Sequence, residues 1–240
     1  MLFNIIGNKG GIGKTTISAY VVEYLLQKNS DVICIDTDPE NRSFTSYQNL
    51  NVIGIQLKDT ISNNINKSAF DEMIEIIIDN KDKDIVIDNG AASFNPLINY
   101  MAENSILELL QDEQIENVII GIVAGGGNTV DSLNGLKTLF NTFFTNYIIF
   151  NNQLMGSTKY DGKQLHEVKV MMENKDKILG TVNIEKLDEY QTNDIVNFAK
   201  YRMLFGDLAE NENFKMMQKR RLFTYRDSIF NQLDIILNKD

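Results

Sequence analysis

Near its start the chain carries a glycine-rich segment, Asn8-Lys9-Gly10-Gly11-Ile12-Gly13-Lys14-Thr15-Thr16. The apolar run Leu2–Ile6 precedes it, and the helical pattern of residues 15–27 follows it. A glycine-rich turn between a strand and a helix can wrap a phosphate with its backbone N–H groups, and the helix N-terminus adds its dipole. The segment therefore predicts a phosphate-binding loop within a strand–loop–helix unit.

The loop contains the residue types that a nucleotide triphosphate requires. Lys14 can reach the β- and γ-phosphates, and the hydroxyl of Thr15 can ligate Mg²⁺. The first glycine of the general Walker A pattern would be residue 8, where this chain has Asn8. The predicted nucleotide contacts are Gly10, Gly11, Ile12, Gly13, Lys14, Thr15 and Thr16. An ordinary phosphate loop does not need Lys9, which taken alone is a solvated lysine.

Short apolar runs alternate with helical stretches along the chain. Strands are predicted at 2–6, 32–35, 52–57, 84–88, 117–123, 146–151 and 178–183, and helices at 15–27, 69–79, 96–110, 129–142 and 163–173. This alternation indicates βαβ units, and continuous apolar strands suit a sheet that is covered on both faces. We predict the α/β class, with a mostly parallel twisted sheet, helices on both faces and the P-loop NTPase fold.

Length and charge limit the remaining possibilities. The 240 residues, 43% of them hydrophobic, suffice for one α/β domain over 1–240, with a helical C-terminal segment at about 192–238. A net charge of −10 opposes binding to DNA or anionic membrane except through a local basic patch. No apolar run approaches the roughly 20 residues of a membrane span, and no leader is visible. With Cys34 as its single cysteine, the chain is expected in the cytoplasm.

Two further segments end in aspartates. Asp36-Thr37-Asp38-Pro39 follows the strand at 32–35, and Pro39 marks a turn. Asp84-Ile85-Val86-Ile87-Asp88 is a short apolar strand with a terminal aspartate, similar to a Walker B motif, whose aspartate holds Mg²⁺ through water. Carboxylates at strand ends are common, so these segments indicate a function only in combination with the phosphate-binding loop.

The loop from Lys9 to Thr15 resembles the deviant Walker A loop of the ParA/MinD superfamily of ATPases, which tolerates a polar residue in place of Asn8. The resemblance implies ATP and Mg²⁺ as ligands and a homodimer when ATP is bound, with Lys9 reaching the partner's phosphates. It also implies that Asp38 orients the attacking water. Thr15, Asp36 and Asp88 form the predicted Mg²⁺ set, Asp36 acting through water.

The base site is predicted from another strand end, Ile148-Ile149-Phe150-Asn151-Asn152. The family has an adenine-reading asparagine at a similar place, which implies this role for Asn151; the alternative is an asparagine that caps a loop. Asn89-Gly90-Ala91-Ala92 stands where many relatives have Asp-x-Pro-Pro, so the sequence leaves the contacts of this loop open.

Residues around these motifs are similar to those of the plasmid-encoded StbB, TraL and MobD group. The similar segments are Asp36-Thr37-Asp38-Pro39-Glu40-Asn41-Arg42-Ser43-Phe44, Ile87-Asp88-Asn89-Gly90-Ala91-Ala92-Ser93-Phe94 and Glu173-Asn174-Lys175-Asp176. The resemblance implies a slow ATPase of plasmid partition, stability or conjugative mobilisation, with a plasmid-encoded protein partner. A single cysteine is too few for the shared cluster of an iron protein or for a Cys-x-x-Cys zinc pair.

The tail has apolar residues at near-helical spacing, which indicates a helix that packs on the sheet. Five basic residues on the same segment form either a patch for DNA phosphates or a solvated helix face: Lys215, Lys219, Arg220, Arg221 and Arg226. A membrane anchor is disfavoured, because the last turns contain Asp227, Asp234 and Asp240.

Two other functions stay open at this point. One is a nucleotide-gated adaptor that binds a relaxase or coupling partner, with little hydrolysis and no DNA contact. The other is a metabolic P-loop enzyme of the dethiobiotin-synthetase type, which would need a substrate pocket beside the γ-phosphate.

Overall fold

The computed structural model describes residues 1–38, 43–47, 49–57 and 67–238. The predicted turn at Pro39 and the motif residues 40–42 lie outside the described residues. Seven strands appear in the described part of the chain: β1 (Leu2–Ile6), β2 (Val32–Asp36), β3 (Val52–Gly54), β4 (Asp84–Asp88), β5 (Asn117–Ala124), β6 (Asn146–Asn152) and β7 (Ile178–Ile184). All pair in parallel, in the order β3-β2-β4-β1-β5-β6-β7.

The helices are α1 (Lys14–Gln27), α2 (Lys67–Asp79), α3 (Phe94–Glu103), α4 (Ile106–Asp112), α5 (Thr129–Thr142), α6 (Lys169–Met172), α7 (Glu189–Lys200), α8 (Phe205–Leu208) and α9 (Met216–Leu237). The single helix predicted at 96–110 is wrong, because Ser105 adopts a left-handed φ of 49° and separates α3 from α4. Where one helix is predicted at 163–173, the structure has a 3₁₀ turn, Leu165–Glu167, followed by the short helix α6. None of the helices described here is both long and apolar enough to span a bilayer.

Side chains from the two faces of the sheet enter two separate apolar cores. In β1, Phe3 and Ile5 enter the core formed with α1, α7 and α9, whereas Leu2 and Ile6 enter the core formed with α2, α3 and α5. All four side chains are buried. A parallel strand that is apolar on both faces needs helices on both faces. The predicted α/β architecture is confirmed, and every described strand pair is parallel.

The sheet topology brings the predicted site segments together at the carboxyl ends of the strands. β1 pairs with β4 on one side and with β5 on the other, so the strand order reverses there. Ligands of such sheets bind outside the carboxyl ends of the strands at this switch point. The glycine-rich loop follows β1, and Asp36 and Asp88 are register partners at the ends of β2 and β4.

The C-terminal segment covers one edge of the sheet. Gln232 of α9 donates to the Asn183 carbonyl at 3.1 Å and accepts from the Asn183 N–H at 2.7 Å. These two bonds satisfy backbone groups of the edge strand β7 that would otherwise be open to another strand. The helix is therefore attached to the sheet by hydrogen bonds from a side chain to the β7 backbone as well as by its apolar side, which includes Ile229 and Leu233.

A buried carboxyl group attaches the tail to α1. Glu23 accepts hydrogen bonds from the N–H groups of Phe205 and Gly206 at 2.6 and 2.8 Å. Burial raises the pKa of Glu23 from 4.5 to about 7, while the two N–H donors act in the opposite direction. The phosphate-loop helix and the start of α8 thus form one connected unit.

This carboxyl group is expected to make stability depend on pH. Because its pKa is higher in the folded chain than in the unfolded chain, its contribution favours the folded state at low pH and is lost as pH rises toward 7. We expect the unfolding free energy of the unchanged chain, relative to that of Glu23→Gln, to fall by about 2.5 kcal/mol between pH 5 and pH 8. Urea denaturation of both proteins measures this difference. A difference that stays constant with pH would contradict the pKa shift.

Candidate nucleotide-binding site

The glycine-rich loop turns sharply between β1 and α1. Gly13 has a left-handed φ of 99°, which glycine adopts without strain, and α1 begins at the next residue. Ile12 is buried beneath the loop. The ammonium group of Lys14 donates to the Lys9 carbonyl at 2.9 Å, so the side chain folds back over the loop. Burial lowers the pKa of Lys14, while Asp88 and Asp38 raise it.

Four oxygen-bearing side chains meet beside this lysine. The Thr15 hydroxyl donates to the Asp88 carboxylate at 2.6 Å and lies 2.8 Å from the Ser43 hydroxyl. Ser18 donates to the other Asp88 oxygen at 3.1 Å. Burial raises the pKa of Asp88 to about 7, with a further increase from Asp36. Hydroxyl and carboxylate oxygens are the donors that Mg²⁺ prefers, so this cluster fits that ion.

Asp36 organises the loop that follows β2. One carboxylate oxygen accepts the N–H of Asp38 at 2.9 Å, and the other accepts the N–H groups of Phe44 and Thr45, both at 3.0 Å. Burial raises the pKa of Asp36, and these three donors act in the opposite direction. The structure thus gives Asp36 a role in shaping the loop that carries Asp38. Its water-mediated contact with Mg²⁺ stays a prediction.

Asp38 lies where the loops after β2 and β4 touch. A Cβ atom at Gly90 would lie 2.9 Å from both Cα and Cγ of Asp38, so a residue without a side chain is needed there. Asp38 borders a cavity of about 450 Å³ at the carboxyl ends of the strands. The other residues that line it are Gly10, Gly11, Gly13, Lys14, Thr15, Thr16, Ser43, Asn89, Ala91, Ala92 and Arg202.

Asn89 is a buried member of the site that the sequence did not identify. Its amide donates to the Asn4 side chain at 2.6 Å and to the Ile5 carbonyl at 3.0 Å, and its oxygen accepts from Thr37 at 2.9 Å. These bonds join β1, β4 and the loop after β2 directly beneath the cavity. The sequence feature that could have indicated this role is Asn4, a polar residue inside an apolar strand.

The structure brings Asn152 rather than Asn151 to the phosphate loop. Asn152 donates to the Ile12 carbonyl at 3.0 Å. The amide of Asn151 instead donates to Asn183 at 2.8 Å and accepts from Thr158 at 2.6 Å, on the side of β7. Adjacent residues of a strand point in opposite directions, and the sequence did not show which one meets the loop. The adenine contact of Asn151 stays a prediction.

Lys9 lies outside the cavity, on the surface of α5. Its ammonium group forms an ion pair of 2.8 Å with Asp131, and the two side chains are 45% and 47% exposed. Asn8 donates to the Asp131 carbonyl at 2.9 Å and packs where Gly135 has no side chain. Asn8, which departs from the Walker A pattern, therefore attaches the loop to α5. The Lys9 side chain is held next to this attachment by its ion pair with Asp131.

The five basic residues of the tail fall into different environments. Arg221 pairs with the buried Asp194 through two nitrogens, each at 2.6 Å, and Arg226 pairs with Asp227 at 2.6 Å. Lys219 donates to a backbone carbonyl, whereas Lys215 and Arg220 are exposed. Two of the five positive charges are thus balanced within the chain. Contact between this patch and DNA stays a prediction.

Comparison with known proteins agrees with this geometry. Residues 3–194 match the family described as the CobQ/CobB/MinD/ParA nucleotide binding domain. The chain belongs to this family. Two proteins from Escherichia coli, each named Protein TraL, are 33% and 31% identical to it over 233 residues, which cover 96% of this chain and 95% of each relative. They place it in the TraL-like group of the ParA/MinD superfamily.

Solved structures of the ParA/MinD family show the same fold. The MinC:MinD cell division protein complex of Aquifex aeolicus aligns with a TM-score of 0.56 at 15% identity, covering 100% of this chain and 96% of that chain. The MinD cell division protein of the same organism aligns with a TM-score of 0.51 at 16% identity, covering 97% and 96%. The α/β sheet and its phosphate loop therefore form a ParA/MinD nucleotide-binding fold.

Proposed function

We propose that the chain is a slow ATPase that uses Mg-ATP to close a homodimer. The observation that carries this proposal is the cluster of Thr15, Ser43 and Asp88 around the phosphate loop, beside Lys14. It combines a phosphate cradle with oxygen donors for a divalent cation. Family membership supports a nucleotide as the ligand. We also propose that the protein acts in the cytoplasm.

Each side chain of the site has a chemical role in this proposal. Lys14 contacts the β- and γ-phosphates, and Thr15 and Asp88 hold Mg²⁺, which when bound neutralises charge on the phosphate oxygens. Asp38 accepts a hydrogen bond from the attacking water and orients it toward the γ-phosphorus. The water oxygen bonds to the γ-phosphorus as the bond to the ADP oxygen breaks, the water proton passes to the released phosphate, and ADP and phosphate leave.

The dimer supplies the remaining contact. The partner's phosphates take Lys9 away from Asp131, because a triphosphate carries several negative charges whereas the Asp131 carboxylate carries one. This contact resembles an arginine finger, which stabilises the charge of the transferring phosphoryl group. Hydrolysis removes the γ-phosphate and opens the dimer.

Nucleotide titration tests the proposal directly. The unchanged chain is titrated with Mg-ATP, Mg-ADP and Mg-GTP by calorimetry, and phosphate release is followed at saturating Mg-ATP. We expect ATP and ADP to bind and phosphate to appear slowly. A chain that binds none of these nucleotides would contradict the ATPase proposal.

We also propose a role in plasmid partition, stability or conjugative mobilisation, supported by the similarity to TraL over most of the chain. In this role the basic patch (Lys215, Lys219, Arg220, Arg221 and Arg226) contacts DNA, and a plasmid-encoded protein responds to the nucleotide state. The second candidate is an adaptor that binds a relaxase or coupling partner without DNA. The internal pairing of Arg221 and Arg226 and the net charge of −10 favour this candidate.

Filter binding on nonspecific duplex DNA separates the two candidates. With Mg-ATP present, a DNA-binding patch gives retention that weakens steeply as salt rises, because bound phosphates release counterions. A variant with Lys215, Lys219 and Arg220 replaced by alanine should then lose retention. The adaptor gives no retention above background at low salt.

The ion pair between Lys9 and Asp131 should compete with dimerisation. Asp131→Asn frees Lys9, so we expect half-maximal dimerisation at a lower ATP concentration, by up to about fivefold, since an exposed pair contributes roughly 0.2–1 kcal/mol. Light scattering over an ATP series measures the shift. Glu113→Gln is the matched control, because it breaks another exposed pair of 2.8 Å, with Lys81. An unchanged or higher midpoint in Asp131→Asn would contradict the competition.

A further inference from the structure

Arg202 brings a second cationic side chain to the nucleotide cavity. It lies two residues after the end of α7, yet it lines the same cavity as Lys14 and Asp38. Its backbone adopts a left-handed φ of 48°, which is uncommon for arginine. Such a conformation persists where the surrounding structure holds it, and here it lies in the turn between α7 and α8.

The backbone after Arg202 is held firmly. Glu23 of α1 accepts the N–H groups of Phe205 and Gly206, and the Phe205 ring stacks on Phe198 with centroids 4.5 Å apart. Phe205 is fully buried. The helix that begins at Lys14 therefore also carries Glu23, whose carboxylate fixes the segment next to Arg202. The arginine is positioned by the same helix that forms the phosphate site.

The guanidinium group is held from the other side by Tyr47. It lies 5.9 Å from the centre of the Tyr47 ring. Burial raises the pKa of Tyr47, and the positive charge of Arg202 has a smaller effect in the opposite direction. Tyr47 is buried, and its ring packs against Phe44, whose N–H is bound by Asp36. The loop after β2 and the C-terminal segment thus meet at Arg202, at the rim of the cavity.

The position of Arg202 indicates which phosphate it would meet. The residues that line the cavity with it include Asp38, Ser43 and Ala91, from the loops that follow β2 and β4. Ser43 contacts Thr15, the residue type that binds Mg²⁺ between the β- and γ-phosphates in P-loop sites. The arginine therefore borders the end of the cavity that suits the terminal phosphate of a triphosphate.

We propose that Arg202 contacts the γ-phosphate of ATP bound to its own subunit and thereby links the C-terminal segment to the nucleotide state. The inference rests on the proposed ATP site. A guanidinium group offers paired N–H donors to phosphate oxygens, which a lysine cannot reproduce. Loss of the γ-phosphate removes the phosphate partner of Arg202, and the C-terminal segment then loses one contact with the nucleotide site.

Affinities for a triphosphate and a diphosphate test this contact. Arg202→Ala is titrated with Mg²⁺ and either a non-hydrolysable ATP analogue or ADP. Affinity for the analogue should fall about tenfold or more, and affinity for ADP by less than about twofold, because a charge-assisted hydrogen bond to the γ-phosphate is lost. Arg202→Lys should recover part of the difference.

Lys200→Ala is the matched control, since Lys200 carries the same charge two residues earlier on the exposed side of α7. It should bind both nucleotides like the unchanged chain. If Arg202→Ala fails to fold in a thermal melt, Arg202→Gln, which keeps most of the side chain, takes its place with the same expected result. Equal loss for both nucleotides, or no loss, would overturn the assignment. An unchanged chain that binds neither nucleotide would instead refute the ATP site itself.

Discussion

Replacing Asp38 with alanine is expected to lower ATP turnover by about 100-fold or more, the usual contribution of a side chain that positions and activates a reactant. Asp38 borders the cavity, and the bond from its N–H to Asp36 fixes its place beside Gly90. Lys14, Thr15 and Asp88 remain in this variant, so nucleotide binding should persist. Phosphate release in a single turnover measures the loss.

The same variant should accumulate as an ATP-bound dimer, because hydrolysis is the step that opens it. Asp38→Asn keeps the shape of the side chain and should be as slow as the alanine variant if the carboxylate is what orients the water. Asp176→Ala, an exposed aspartate distant from the cavity, should hydrolyse ATP normally. Turnover that is unchanged in Asp38→Ala would assign the water to another residue.

Lys9→Ala is expected to bind Mg-ATP with nearly unchanged affinity and to lose ATP-dependent dimerisation. Lys14 makes the phosphate contact within the subunit, whereas Lys9 lies on the surface in its ion pair with Asp131. Removing Lys9 should therefore leave the cavity intact and delete only the contact across the dimer. Calorimetry measures the binding, and light scattering measures the mass.

Lys137→Ala provides the comparison for this variant, because Lys137 is an exposed lysine on α5, the helix that carries Asp131. It should dimerise like the unchanged chain. If Lys9→Ala dimerises as well as Lys137→Ala, the cross-subunit role of Lys9 is wrong. If it loses nucleotide binding instead, Lys9 acts within its own subunit.

The fold could be predicted from the sequence because the patterns that indicate it lie within short segments of the chain. Apolar strands on both sides of a glycine-rich turn predict a covered parallel sheet, and the carboxyl ends of such strands meet at one edge. The resemblance to the family assigned Thr15 and Asp88 to one Mg²⁺ site, and the structure has them in a hydrogen bond of 2.6 Å. Helix ends were less accessible, since the left-handed Ser105 that divides α3 from α4 has no clear sequence signal.

The residues that surround the nucleotide site could not be predicted from such local patterns. Asn89, Asn152 and Arg202 reach it through contacts between segments far apart in the sequence. No spacing rule connects an arginine after α7 with a loop before α1. The direction of a strand side chain decides between Asn151 and Asn152, and that direction depends on the register of β6 with its neighbours.

The mass of the unchanged chain in solution tests the central claim most directly. With Mg²⁺ and a non-hydrolysable ATP analogue, multi-angle light scattering should give twice the 27.3 kDa of the single chain. With Mg-ADP at the same protein concentration it should give the single mass. The single mass in both conditions, with the analogue shown to be bound by calorimetry, would contradict an ATP-driven dimer.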